Sequence, residues 1–142
     1  MAHVNYWAVL VSGVAIFILG GLWYSPMLFA KPWTRMMGKT EEEMKAYMAS
    51  PKAKREMPLM YGMALVTALI TAWVMTIVVN HFGVPSAVRG AEVGALCWLG
   101  FAAATSYATA MFSMQPKALW LINSAYNLVS FVITGVILSV WR

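Results

Sequence analysis

Eleven of the fifteen charged residues in this 142-residue chain lie between Lys31 and Glu56. Around that cluster are four runs with no charge at all: Met1–Ala30, Met57–Val88, Val93–Pro116 and Ala118–Trp141. A helix needs about 20 apolar residues to cross the hydrocarbon core of a bilayer, so each run is long enough to span it once. A water-soluble core would need charge spread over a solvated surface, and this chain concentrates its charge in one segment. The pattern therefore predicts an all-α membrane protein, a bundle of four transmembrane helices in one domain over residues 1–142. The expected spans are residues 6–28, 58–80, 91–112 and 118–141, with a loop over 29–57.

Charge position also predicts orientation. Lys31, Arg35, Lys39, Lys45, Lys52, Lys54 and Arg55 follow the first span, and Lys117 lies between the last two. Only Arg89 and Arg142 fall on the other side. The excess of Lys and Arg in cytoplasmic loops then places the loop in the cytoplasm and both termini outside. The basic residues read as topology and as attraction to anionic lipid. No basic groove with interleaved aromatics is present, so nucleic acid is not an expected partner. Cys97 is the sole cysteine, which excludes an intrachain disulfide and a cysteine-based metal site. The N-terminal run lacks a basic leader and is too long for a secretory signal, so it reads as a retained span.

Local signals refine the spans. Tyr6 and Trp7 at one end of the first, and Trp23 and Tyr24 at the other, have the spacing of interfacial aromatic belts. Trp120 and Trp141 mark the ends of the fourth. Pro26 and Pro32 oppose continuation of the first helix. Gly13, Gly20 and Gly21 offer close approach to a neighbouring helix. The second span is expected to begin near Pro58, whose missing N–H is harmless in a first turn, and it carries a small, weakly polar stripe of Ala64, Thr67, Ala68 and Thr71. The short Ser113–Lys117 link makes the last two spans an antiparallel hairpin. In the loop, Thr40 and Glu43 have capping-box spacing. Met44, Tyr47 and Met48 share a face, which predicts an amphipathic helix over residues 40–49 on the inner leaflet; a solvated helical loop is the alternative. Tyr24–Phe29 and Tyr107–Phe112 echo each other at two exits, as a duplicated hairpin or chance would produce.

The strongest polar signal is in the fourth span. Asn123, Asn127, Ser130 and Thr134 fall on one helical face. Thr105, Ser106 and Tyr107 lie on the third span, with Thr109 beyond them, and hairpin geometry puts Tyr107 at about the depth of Asn123 and Ala103–Thr105 at about that of Asn127. Amides in hydrocarbon need partners, so these groups either bond between helices or line a polar cavity. A lipid head-group contact is a further alternative. Arg89 and Glu92 form an expected ion pair at the start of the third span, where the helix dipole favours the carboxylate. His3, His81 and Glu92 share the outer side, but they come from three segments and do not define a metal site. Trp73 and Trp98 sit in mid-span, where they serve packing or contact a planar hydrophobic ligand. Gly38-Lys39-Thr40 lacks the upstream glycine and strand of a phosphate-binding loop. The twelve methionines are scattered apolar filler.

Trp23-Tyr24-Ser25-Pro26, with Trp33 and the Gly38-Lys39-Thr40-Glu41-Glu42 helix start, resembles the small bacterial membrane proteins grouped as domain of unknown function 1761. The resemblance extends over the whole chain. It implies a bacterial inner-membrane address and a shared cytoplasmic exit. It supplies no catalytic residue and no cofactor. From its own residues, Ser25 can satisfy a carbonyl that Pro26 frees, giving a fixed bend; the motif is either a span terminator or a binding element on the cytoplasmic face.

The expected function is therefore non-enzymatic. Small residues, mid-span tryptophans and the lack of a deep ionisable group favour association, as a homo-oligomer or an accessory subunit of a larger membrane complex. The alternative is a transporter or channel for a small solute, ion or lipid, using the polar face of the fourth span.

Overall fold

The computed structural model describes residues 3–141; Arg142, one of the two basic residues expected on the outer side, lies outside them. Helix α1 covers Tyr6–Trp23, and the Asn5 side chain caps it by accepting from the amides of Trp7 and Ala8. Pro26 leaves the carbonyl four residues back without its helical donor. The Ser25 hydroxyl donates to that carbonyl, Leu22, at 2.7 Å, and the chain turns out of the helix.

The loop holds more structure than the sequence suggests. A short helix α2, Ala30–Met36, follows the turn. Pro32 falls in its first turn, where no donor is required, so it starts a helix instead of preventing one. Gly38 takes a left-handed conformation, φ 77°, which glycine adopts without penalty. Helix α3, Glu41–Ala49, then begins with the capping box in place. The Thr40 hydroxyl accepts from the Glu43 amide and the Glu43 carboxylate accepts from the Thr40 amide, each at 3.1 Å. Met44 and Tyr47 are half-buried and Met48 is exposed. The Tyr47 hydroxyl donates to Glu56, tying α3 to the next helix.

Helix α4 runs Pro51–His81, starting seven residues before the expected Pro58. The physical reason is Ser50, which accepts from the Ala53 amide, and Pro51, which occupies the first helical position. Pro58 is thus internal. At 31 residues α4 is about 46 Å long, well beyond a hydrocarbon core, and its charged first turns project past the apolar segment. Helix α5, Ala87–Cys97, passes through a π-helical turn, Trp98–Ala103, into α6, Ala104–Phe112. Helix α7, Lys117–Val140, returns antiparallel.

Four of these segments are long and apolar enough to cross a membrane: α1, α4, the continuous α5–α6 and α7. Helix α7 is the hub, packing on α5, α1 and α4. The closest approach is between α5 and α7 at the end away from the charged loop. There a methyl group on Gly90 or Gly135 would collide with the other's carbonyl oxygen, and one on Gly94 with that of Phe131. Ala8, Met75, Val79, Val84 and Leu138 form the buried cluster at that same end. Gly13 packs on Leu69 and Gly20 on Tyr126, whereas Gly21 has nothing against it.

Candidate functional site

The π-turn makes the site. Its extra residue per turn rotates and redirects α6, and such turns recur at functional positions. The Trp98 indole pins the turn to the hub by donating to the Ser124 carbonyl at 2.9 Å. From there toward the charged loop, α6 and α7 diverge. Trp120 wedges the far end, its indole donating to the Ser106 hydroxyl at 3.0 Å and its ring edge-on to Tyr107.

The gap is a cavity of about 350 Å³. Thr105, Ser106, Thr109, Ser113 and Gln115 supply one wall, and Trp120, Asn123, Ser124 and Asn127 the other. No charged residue lines it. The hydroxyls of Thr105, Thr109 and Ser113 donate to carbonyls of their own helix. Their oxygens remain able to accept. Asn123 Oδ1 accepts from the Tyr24 hydroxyl at 2.7 Å. The Asn127 amide has no hydrogen-bond partner among the described residues. Ser124 is 3% exposed, and its buried hydroxyl also lacks a partner. The wall thus offers donors and acceptors for an uncharged polar group.

The predicted polar face of α7 divides in two. Asn123 and Asn127 line the cavity. Ser130 and Thr134 are buried and donate to the carbonyls of Tyr126 and Ser130 in their own helix. Tyr107 does not line this cavity. It packs on Trp120, and Ser106 occupies the cavity wall instead.

A second, larger cavity of about 870 Å³ lies between α1, α4 and α7. Ile16, Phe17, Ile18, Ala68 and Phe131 make it largely apolar. Gly20 and Gly21, together with the Ala64, Thr67 and Thr71 stripe of α4, complete it. The Thr67 and Thr71 hydroxyls donate within α4. Asn127 lines this cavity as well as the first.

The Trp-Tyr-Ser-Pro motif stands where the two cavities adjoin. Trp23 and Tyr24 face α7, where they are half-buried. The Trp23 indole donates to the Ile122 carbonyl at 3.1 Å. Tyr24 bonds Asn123 and is backed edge-on by Trp33, with ring centroids 5.6 Å apart. From the other side, the Tyr126 hydroxyl donates to the Ile16 carbonyl. The echo noted between two exits has a physical counterpart, since Tyr24 meets Trp33 as Tyr107 meets Trp120.

Other candidates stand apart. Trp73 is 46% exposed in a shallow apolar groove with Tyr6, Leu10 and Leu69, so it shares no site with Trp98. Arg89 and Glu92 pair at 2.7 Å on an exposed surface, where such pairs contribute little. Among the described residues His3, His81 and Glu92 form no metal-ligating cluster. Gln115, Ser124 and Tyr126 were not singled out by the sequence. Ser124 adjoins Asn123 but lies off the helical stripe that the asparagines define.

Fold and site together define a four-span helical membrane protein with an uncharged polar cavity beside its central helix. Residues 7–139 match the family described as Protein of unknown function (DUF1761), and the chain belongs to that family. No curated protein and no solved structure matches it.

Proposed function

We propose that this protein is a non-enzymatic membrane protein that binds a small uncharged polar group in the cavity between α6 and α7. Of the two functions the sequence leaves open, the geometry favours the one built on the polar face of α7. The observation that carries it is Asn127. Its amide lines the cavity with no hydrogen-bond partner among the described residues, and an amide left unpaired away from water costs about 1–3 kcal/mol. A ligand hydroxyl or carbonyl would recover that cost. The lining has no carboxylate, histidine or cation, so its chemistry is hydrogen bonding and it gives an ion no counter-charge.

The cavity lies at the charged-loop end of the bundle, beside the turn between α6 and α7. At the opposite end the α5–α7 glycine contacts bring backbone against backbone. That supports a one-sided binding site in this conformation and not an open pore. With eight of the ten basic residues on the loop side, the positive-inside bias makes that side cytoplasmic and leaves both termini outside.

The test is native mass spectrometry on protein extracted with its own membrane lipids. Wild type is expected to retain a neutral adduct, and Asn127→Leu to retain at least tenfold less. Equal retention in both, or no adduct on wild type, contradicts the reading.

Association is a second reading. Gly100, Ala104 and Ala108 are all exposed on the third span, where small residues allow a second helix to approach. Its test is cross-linking in native membranes. Capture of a second copy or subunit through this face supports it, and a monomer throughout contradicts it.

A further inference from the structure

The two cavities meet at the same residues. Asn127 lines both. Tyr24 lines the larger cavity, and its hydroxyl bonds Asn123, which lines the smaller. Polar residues predominate along one chamber and apolar ones along the other, and among the described residues no charged side chain lines either.

We infer that the two chambers form one site for a neutral-headed amphiphile: its head between α6 and α7, its hydrocarbon chain between α1, α4 and α7. This rests on the polar-group binding proposed above and names the class of ligand. The polar chamber, at about 350 Å³, suits a small head bearing hydroxyl or carbonyl groups. The apolar chamber, at about 870 Å³, lies within the range of pockets that enclose whole small molecules. Its wall combines apolar side chains with Tyr24, Tyr126 and Asn127, the pattern of apolar lining plus a few orienting polar groups.

Charge selects the ligand class. Burying an ionised head group without a counter-charge is strongly unfavourable, so a phosphate, sulfate or ammonium head is rejected. A neutral head loses little water and gains the Asn127 amide. The chain fits where Gly20 and Gly21 remove side-chain bulk from α1. A Cβ at Gly21 would touch nothing within 4 Å, so this part of the chamber has room.

The test uses photo-labelling in phosphatidylcholine nanodiscs with hexadecanol carrying a diazirine near the end of its chain. Wild type is expected to be labelled on α1 and α4 around Ile16 and Thr71, deeper in the chamber than the head. Unlabelled hexadecanol, a monoacylglycerol or an alkylquinone should compete. Hexadecyl sulfate and hexadecyltrimethylammonium should not. The best neutral competitor identifies the head, and so distinguishes a glycerolipid from a quinone or a simple alcohol. Gly21→Phe, which fills the chain chamber, is expected to lower labelling at least tenfold. Ala64→Phe fills it from the facing wall and repeats the test should Gly21→Phe not fold.

Labelling that persists in a folded filled variant, or charged heads that compete as well as neutral ones, overturns the inference. Thiol access to Asn127→Cys distinguishes the two levels. If that thiol is reached from water but the chain probe fails to label, the amphiphile inference falls and polar-group binding stands. If the thiol is not reached, both fall.

Discussion

The Tyr24 hydroxyl donates to Asn123 Oδ1 at 2.7 Å, joining the end of α1 to the hub helix α7. This bond stands beside Asn127, where the two chambers adjoin, and it gives the Trp-Tyr-Ser-Pro motif its role. Trp23 bonds the neighbouring Ile122 carbonyl, Ser25 ends the helix, and Trp33 backs the tyrosine ring. Hydrogen bonds between membrane helices contribute about 0.6 kcal/mol on average and up to about 1.7. A double-mutant cycle on Tyr24→Phe and Asn123→Leu should give a coupling near the upper figure. Reversible unfolding in mild detergent measures it; a coupling near zero would mean the two groups stabilise the fold independently.

Ser124→Ala should separate stability from binding. Removing a buried, unpartnered hydroxyl is expected to stabilise the ligand-free protein by about 1 kcal/mol. The same change should leave retention of the neutral adduct unaltered, because that oxygen is closed off from the cavity. Thermal unfolding of delipidated protein and adduct retention report the two effects. A destabilised Ser124→Ala protein would show that the hydroxyl has a structural partner after all.

The glycine contacts divide sharply. Gly90→Ala or Gly135→Ala forces a methyl into the facing backbone and should cost about 1–3 kcal/mol or prevent folding. Gly62→Ala meets open space inside a helix and should stabilise by about 0.5–1 kcal/mol. Comparing midpoints of unfolding checks both signs.

Met114 turns the chain from α6 into α7 with φ 52°, a left-handed conformation costly for a side chain. Its side chain is largely exposed, so little packing is lost on replacement. Met114→Gly should therefore raise stability by about 1 kcal/mol. An unchanged or lowered unfolding midpoint would show that the methionine side chain contributes contacts of its own.

Much of the fold was legible because charge and apolar length are properties of single residues read in a row. The four spans, the Thr40 cap and the Ser25 hydroxyl covering a carbonyl beside Pro26 all follow from local chemistry. The early start of α4 was also written in Ser50-Pro51, but Pro58 offered a competing start nearer the apolar run. Helix α2 was hidden because Pro32 signals either a helix stop or a helix start, and only the turn at Ser25–Phe29 decides between them. At the site, the period of α7 identified Asn123 and Asn127. It could not separate them from Ser130 and Thr134, since the division depends on where α6 leaves α7. That divergence comes from the π-turn at Trp98–Ala103, which no local residue pattern announces. Ser124 and Tyr126 lie off the stripe, and they acquire a place only through the helices around them.

The central claim is that the polar chamber is a binding site open to the charged-loop side. The most direct measurement is thiol labelling of Asn127→Cys in a Cys97→Ala background, with a membrane-impermeant reagent, in right-side-out and inside-out vesicles. The account predicts labelling only when the reagent is on the loop side, with an extractable ligand slowing it at least several-fold. No labelling from either side, or equal labelling from both, would contradict it.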